Sequence, residues 1–69
     1  MTRHAVIRVP GSGPPALIGA PNNFATKAEA DARAAEVEAK QGMTHHTHLE
    51  VFSYAGDLGV ALDKHGILR

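Results

Sequence analysis

Residues 26 to 42 carry apolar side chains on two opposite sides of a predicted helix, with charged side chains between them. At about 100° per residue, Ala30, Ala34 and Val37 form one stripe. A second stripe, called here the outer alanine stripe, lies almost diametrically opposite and consists of Ala28, Ala32, Ala35 and Ala39. A surface helix needs only one apolar side. We expect the first stripe to cover a sheet. The outer stripe is expected to contact another protein, unless it reflects only the high helix propensity of alanine.

Local signals mark both ends of this helix. Thr26 and Glu29 have the spacing of a capping box, which satisfies free backbone amides at a helix start. Gly42 is typical of the position just after a helix end, because glycine readily adopts left-handed backbone angles. Pairs of opposite charge four residues apart support the helix along its sides, namely Lys27/Asp31, Glu29/Arg33 and Glu36/Lys40.

The first 23 residues predict two strands joined by a turn. Residues 4 to 9 alternate between two sides, and the side expected to face the core consists of Ala5, Ile7 and Val9. Residues 10 to 15 contain three prolines and two glycines, which break regular structure. A short strand over 16 to 19 and a turn over 21 to 23 follow. These segments predict a β-hairpin with a six-residue loop.

Residues 44 to 54 predict a third strand. Leu49 and Val51 fall on the side expected to lie under the helix. Phe52 and Tyr54 fall on the other side, where a bare three-stranded sheet would leave them in water. We therefore expect Phe52 and Tyr54 to contact a partner.

The last segment predicts a short helix. Asp57 is a typical N-cap residue, and Leu58, Ala61 and Leu62 fall on one side of a helix that ends before Gly66. A fourth strand over 59 to 62 is the alternative. The whole chain, residues 1 to 69, is then one small α+β domain with a strand-strand-helix-strand order. A right-handed crossover through the long helix gives an antiparallel sheet in the spatial order 2-1-3, covered on one face by the amphipathic helix.

Composition limits what such a domain can do. The chain has 69 residues, with seven basic and seven acidic side chains and no cysteine. A chain of this length buries only about 60% of the surface that its unfolded form exposes. Since disulfides are excluded, self-association is the expected additional source of stability. The balanced charge argues against a protein that binds phosphate backbones in general.

Location and origin follow from the same composition. No run of about 18 apolar residues predicts a membrane span, and the apolar run between Arg3 and Arg8 is too short for a signal peptide. We expect a cytoplasmic protein. Alanine and glycine are abundant, whereas lysine and asparagine are scarce, which favours a GC-rich genome such as that of a bacterium or its phage.

A cluster of histidines is the sharpest chemical feature. His46 and His48 project to the same side of the predicted third strand, and His4 of the neighbouring strand could complete a metal site with them. A solvated histidine cluster explains the same residues, and we predict no resident metal or cofactor. Metal binding is therefore kept as an alternative function.

Nucleic-acid binding is a second alternative. It depends on Phe52 and Tyr54 as stacking residues and on basic side chains near the two termini, namely Arg3, Arg8, Lys64, His65 and Arg69. Residues 11 to 13 lack the following Gly-Lys-Ser/Thr of a phosphate-binding loop. No hydroxyl side chain has the spacing of a nucleophile with its base, so we predict that the protein is not an enzyme.

The leading hypothesis is a small non-enzymatic protein–protein interaction module. We expect a homodimer, or an accessory protein of a phage or bacterium that binds a host component. The expected contact is the outer alanine stripe or the side of the sheet that carries Phe52 and Tyr54.

Overall fold

The computed structural model describes residues 2–41 and 47–69, which form a small α+β fold. Its strands are β1 (Thr2–Val9), β2 (Ala16–Leu17), β3 (Asn23–Phe24) and β4 (His48–Ala55). Its helices are α1 (Lys27–Gln41) and α2 (Leu58–His65). The predicted α+β class is confirmed.

Strand β1 lies in the middle of an antiparallel sheet. On one side it pairs with β4 along its whole length, from Thr2 opposite Ala55 to Val9 opposite His48. On the other side it pairs with β2 and then with β3. The predicted spatial order, with the first strand between the second and the third, is therefore confirmed.

The second predicted strand, over 16 to 19, is shorter than expected, because β2 covers only Ala16–Leu17 and a bulge separates it from β3. The Val6 amide donates to the Asn22 carbonyl (3.0 Å), and the Ile18 amide donates to the Val6 carbonyl (3.3 Å). The Asn22 side chain donates to the Ile18 carbonyl (2.7 Å) and closes the bulge. The predicted turn over 21 to 23 is thus wrong at Asn23, which lies in β3. Pro-Asn-Asn is typical of turns, but long-range bonds to β1 return the chain to the sheet here.

Helix α1 begins as predicted. The Glu29 amide donates to the Thr26 hydroxyl oxygen (3.2 Å), and that hydroxyl donates to the Glu29 carboxylate (3.0 Å). Ala30 and Val37 are buried, and they pack with a cluster from the sheet that contains Val6, Ile18 and Leu49, with Ala34 and Val51 beside it. The predicted end of the helix at Gly42 lies outside the described residues.

Hydrophobic clusters lie on both faces of the sheet, so the prediction that only one side of β1 faces the core is wrong. Val6 faces α1 and is fully buried, although only Ala5, Ile7 and Val9 were expected to face the core. Ile7 faces the other way and packs with Leu62 and Ile67. The sheet therefore lies between α1 on one face and α2 on the other, and both sides of β1 are buried.

Because α2 packs on this face of the sheet, the surroundings of the two aromatic side chains of β4 differ from the prediction. Tyr54 is only 7% exposed, and Phe52 is half-buried against the cluster that contains Ile7 and Leu62. The Phe52 ring meets His65 edge to face, with ring centroids 5.1 Å apart. The predicted contact of Phe52 and Tyr54 with a partner assumed that this face of the sheet is bare, and that assumption is wrong because α2 covers the face.

The C-terminal segment forms the predicted helix and not a strand over 59 to 62. The Val60 amide donates to the Asp57 carboxylate (3.2 Å), and Gly66 ends the helix in the left-handed conformation at φ 68°. After the helix, Leu68 pairs with the outer side of β2. The Leu17 amide donates to the Leu68 carbonyl (2.7 Å), and the Leu68 amide donates to the Pro15 carbonyl (2.8 Å).

Candidate protein interface

Strand β4 lies at an edge of the sheet. All eight of its residues pair with β1, and no other strand in the described part of the chain pairs with its opposite side. The N–H and C=O groups on that side therefore face away from the sheet, as a row that another strand can pair with.

The hydrogen-bond pattern identifies these outward groups. Val6 directs its N–H and C=O toward β2 and β3, as its bonds with Asn22 and Ile18 show. Because such groups alternate in direction along an antiparallel strand, the odd-numbered residues of β1 bond to β4. Their partners on β4 are the even-numbered residues from His48 to Tyr54. The groups that face the free edge consequently belong to Leu49, Val51, Ser53 and Ala55.

The sequence of β4 gives little protection to this edge. Natural edge strands are commonly blocked by proline, lysine, a bulge or short length. Strand β4 has no proline, lysine or arginine, and it pairs with β1 in one uninterrupted register of eight residues. Glu50 supplies its one carboxylate. The edge is therefore competent to accept another strand.

The opposite edge of the sheet is blocked by the chain itself. Leu68 occupies the outer side of β2. Arg33 of α1 covers the bulge, where its side chain donates to the carbonyls of Pro21 (3.0 Å) and Ala20 (3.5 Å). Only one of the two edges is thus left with a long unpaired run in the described part of the chain.

A groove of about 360 Å³ borders the C-terminal end of β4 and runs beneath one side of α2. It is lined by Ser53, Tyr54, Ala55, Asp57, Val60, Ala61, Lys64 and His65. The Asp57 carboxylate at one end of the groove accepts the helix-capping bond, whereas Lys64 and His65 lie in the last turn of α2. Val60, which is 65% exposed, contributes an apolar wall. The groove thus combines an apolar wall with a basic end next to the free edge.

The outer alanine stripe is exposed along its whole length, at Ala28, Ala32, Ala35 and Ala39. The side chains that flank it most closely are all acidic: Glu29 and Glu36 on one side, Asp31 and Glu38 on the other. Basic side chains lie further round the helix toward the sheet. In a pair of helices, flanking residues of one helix meet those of the other. Asp31 and Glu36 are already paired with cations of the same helix. A contact between two copies of this stripe would bring the carboxylates of Glu29 and Glu38 near other carboxylates and bury only small alanine side chains, which makes it less suited to self-association than the edge of β4.

The structure does not bring the predicted metal ligands together. His4 lies opposite Ser53, and its Nδ1 is 2.9 Å from the Ser53 hydroxyl. His48 lies five residues from Ser53 along β4, a distance of roughly 17 Å, and the odd spacing places it on the other face of the sheet. The contribution of His4 to a site with His48 is therefore wrong within one chain. His46 lies outside the described residues, and within 2–41 and 47–69 no three potential ligands are grouped to hold a metal ion.

The basic side chains considered for nucleic-acid binding are dispersed. Arg3 donates to Asn23 (2.9 Å), and Arg8 donates to Gln41 (2.7 Å). Arg8 lies five positions after Arg3 along β1, and this odd offset makes the two side chains point to opposite faces of the sheet. Arg69 pairs with Asp63 of α2 (3.2 Å). Since Phe52 and Tyr54 are also covered, these groups do not form one basic surface with exposed aromatic rings.

None of the helices in the described ranges is long and apolar enough to cross a membrane. Comparison of the chain with protein-family models, with curated protein sequences and with solved structures finds no match.

Proposed function

We propose that the protein is a non-enzymatic protein–protein interaction module whose partner is a second copy of the same chain. The two copies join by antiparallel pairing of their β4 strands, which makes one continuous sheet. The observation that carries the proposal is the eight-residue edge of β4, which lacks the usual blocking features, while on the other edge β2 is covered by Leu68 and β3 has only two residues.

The contrast between the two edges favours a dimer over a longer assembly. A head-to-tail chain of sheets needs two different open edges on each copy, and such contacts grow into fibres. Here Leu68 occupies the edge beside β2, and β3 offers two residues, so among the described strands another β4 is the one that matches the full length of the β4 edge. Identical surfaces paired about a two-fold axis close at two copies.

Charge limits the register of this pairing. The outward groups of β4 allow two-fold pairings centred on Val51 or on Phe52, and either uses nearly the whole strand. A pairing centred on Glu50 would place two carboxylates directly opposite each other, which is unfavourable. The full-length pairings are therefore favoured.

Proline at Ser53 tests the proposal, because the Ser53 N–H faces the free edge and proline has no N–H. We expect Ser53→Pro to be monomeric by sedimentation equilibrium, while the wild-type protein is a dimer of its 7.3 kDa chain. Ser53→Ala is the matched control, since it removes the hydroxyl that contacts His4 but keeps the N–H, and it should remain dimeric.

Circular dichroism shows whether the proline variant keeps its fold. Should Ser53→Pro unfold, Val51→Pro replaces it, because the Val51 N–H also faces the free edge and pairs with the other copy in both full-length registers. A folded Ser53→Pro or Val51→Pro protein that remains dimeric overturns the proposal.

Metal-dependent assembly is the weaker alternative, because His4 and His48 lie apart. A chelator should leave the dimer unchanged, and dissociation by the chelator would favour the histidine cluster instead. We also propose a cytoplasmic location, with which the absence of cysteine is compatible.

A further inference from the structure

We propose that the groove beside β4 receives the Glu50 side chain of the second copy, where Lys64 and His65 bind its carboxylate. This inference rests on the dimer proposed above, and it identifies a polar contact that favours one register between the two copies. The groove lies between α2 and the end of the strand whose edge is free.

Strand geometry brings Glu50 to this groove. In an antiparallel pair, residues that lie directly opposite point to the same face of the sheet, with Cβ atoms about 5 Å apart. A pairing centred on Phe52 places Glu50 opposite Tyr54 of the other copy, whose side chain lines the groove. A pairing centred on Val51 places Glu50 opposite Phe52, which contacts His65. The Phe52-centred register therefore brings the carboxylate to the groove, and the Val51-centred register brings it to the basic end of α2.

The charged groups on the two sides are complementary. Glu50 is 56% exposed at its side chain, and its ion-pair contact in the described part of the chain is with His48, at 3.5 Å. Lys64 has no carboxylate within 4.0 Å among residues 2–41 and 47–69. Asp57, the other charged group of the groove, already accepts the Val60 amide. Within one chain, Glu50 on β4 and Lys64 on α2 do not pair with each other. A second copy joined through β4 would bring Glu50 of one chain to Lys64 of the other.

The two-fold axis repeats this contact. Glu50 of each copy reaches the groove of the other, so the dimer contains two such contacts, one on each side of the two-fold axis. Charge pairs of this kind favour one register and one partner more than they add to raw affinity.

Charge reversal tests the inference. Glu50→Lys places a base against Lys64 of the other copy, and Lys64→Glu places an acid against Glu50. We expect each single variant to raise the Kd of the dimer about five- to tenfold by sedimentation equilibrium. The double variant Glu50→Lys/Lys64→Glu restores opposite charges and should return the Kd close to the wild-type value.

Glu38→Lys is the matched control, because it changes the net charge as much as Glu50→Lys does but lies on α1, on the other face of the sheet. Its Kd should be that of the wild-type protein. If the wild-type protein is dimeric and Ser53→Pro is not, yet the two reversals act independently in the double variant, the groove contact is wrong and the strand pairing stands. A monomeric wild-type protein overturns both proposals.

Discussion

A few buried side chains hold the two helices against the sheet. Leu62 is 1% exposed and packs with Ile7 and Ile67, so it ties α2 to the face of the sheet that carries Phe52. On the other face, Val6 is fully buried beneath α1. A chain of 69 residues has few such contacts, and each is a large share of its stability.

Truncation of Leu62 should therefore be severe. We expect Leu62→Ala to lower the free energy of unfolding by about 2–5 kcal/mol, because it removes buried methyl groups and leaves a cavity. Urea denaturation followed by circular dichroism measures the change. Val60→Ala is the control on the same helix, since Val60 is 65% exposed, and its unfolding midpoint should hardly move. Equal effects of the two substitutions would contradict the packing described for α2.

At the scale of elements, the two edges of the sheet differ because the chain covers one of them. Leu68 exchanges backbone bonds with Leu17 and Pro15 and thus serves as a short extra strand beside β2. Strand β4 has no such cover among the described residues. The C-terminal segment therefore limits assembly through strand edges to one side of the molecule.

Proline at position 68 should remove this limit. Leu68→Pro loses the amide that donates to Pro15, whereas Leu68→Ala keeps it. We expect Leu68→Pro to form species larger than a dimer as its concentration rises, because the edge of β2 becomes open, and light scattering measures their mass. Leu68→Ala should stay dimeric. If the Leu17 amide of Leu68→Pro exchanges rapidly with solvent and the protein is nevertheless only a dimer, the C-terminal segment is not what limits assembly.

Local signals predicted the elements better than the contacts between them. The starts of both helices follow from Thr26, Glu29 and Asp57, whose capping bonds join residues three apart. Strand β3 was missed because its place in the sheet depends on bonds from Asn22 and Ile18 to Val6, which no local pattern encodes.

At the scale of the whole molecule, the candidate interface differs from the predicted one because it too depends on contacts between distant segments. The predicted spatial order 2-1-3 already placed the third predicted strand at an edge of the sheet. The sequence also suggested Phe52 and Tyr54 as contacts, but docking of α2 buries that face. The outer alanine stripe is exposed as its spacing predicted, yet it offers only small side chains between acidic flanks, of which Asp31 and Glu36 are paired with cations of the same helix. The edge of β4 and the adjacent groove are then the surface best suited to a second copy.

Amide hydrogen exchange at the edge of β4 tests this account most directly. In a dimer joined through β4, the amides of Leu49, Val51 and Ser53 are hydrogen-bonded to the other copy, whereas in a monomer they face water. We predict slow exchange of these amides at high protein concentration and fast exchange on dilution, with the Phe52 amide protected at both because it bonds to β1. Fast exchange of the three amides at a concentration where the mass is that of a dimer would contradict the account and place the interface elsewhere.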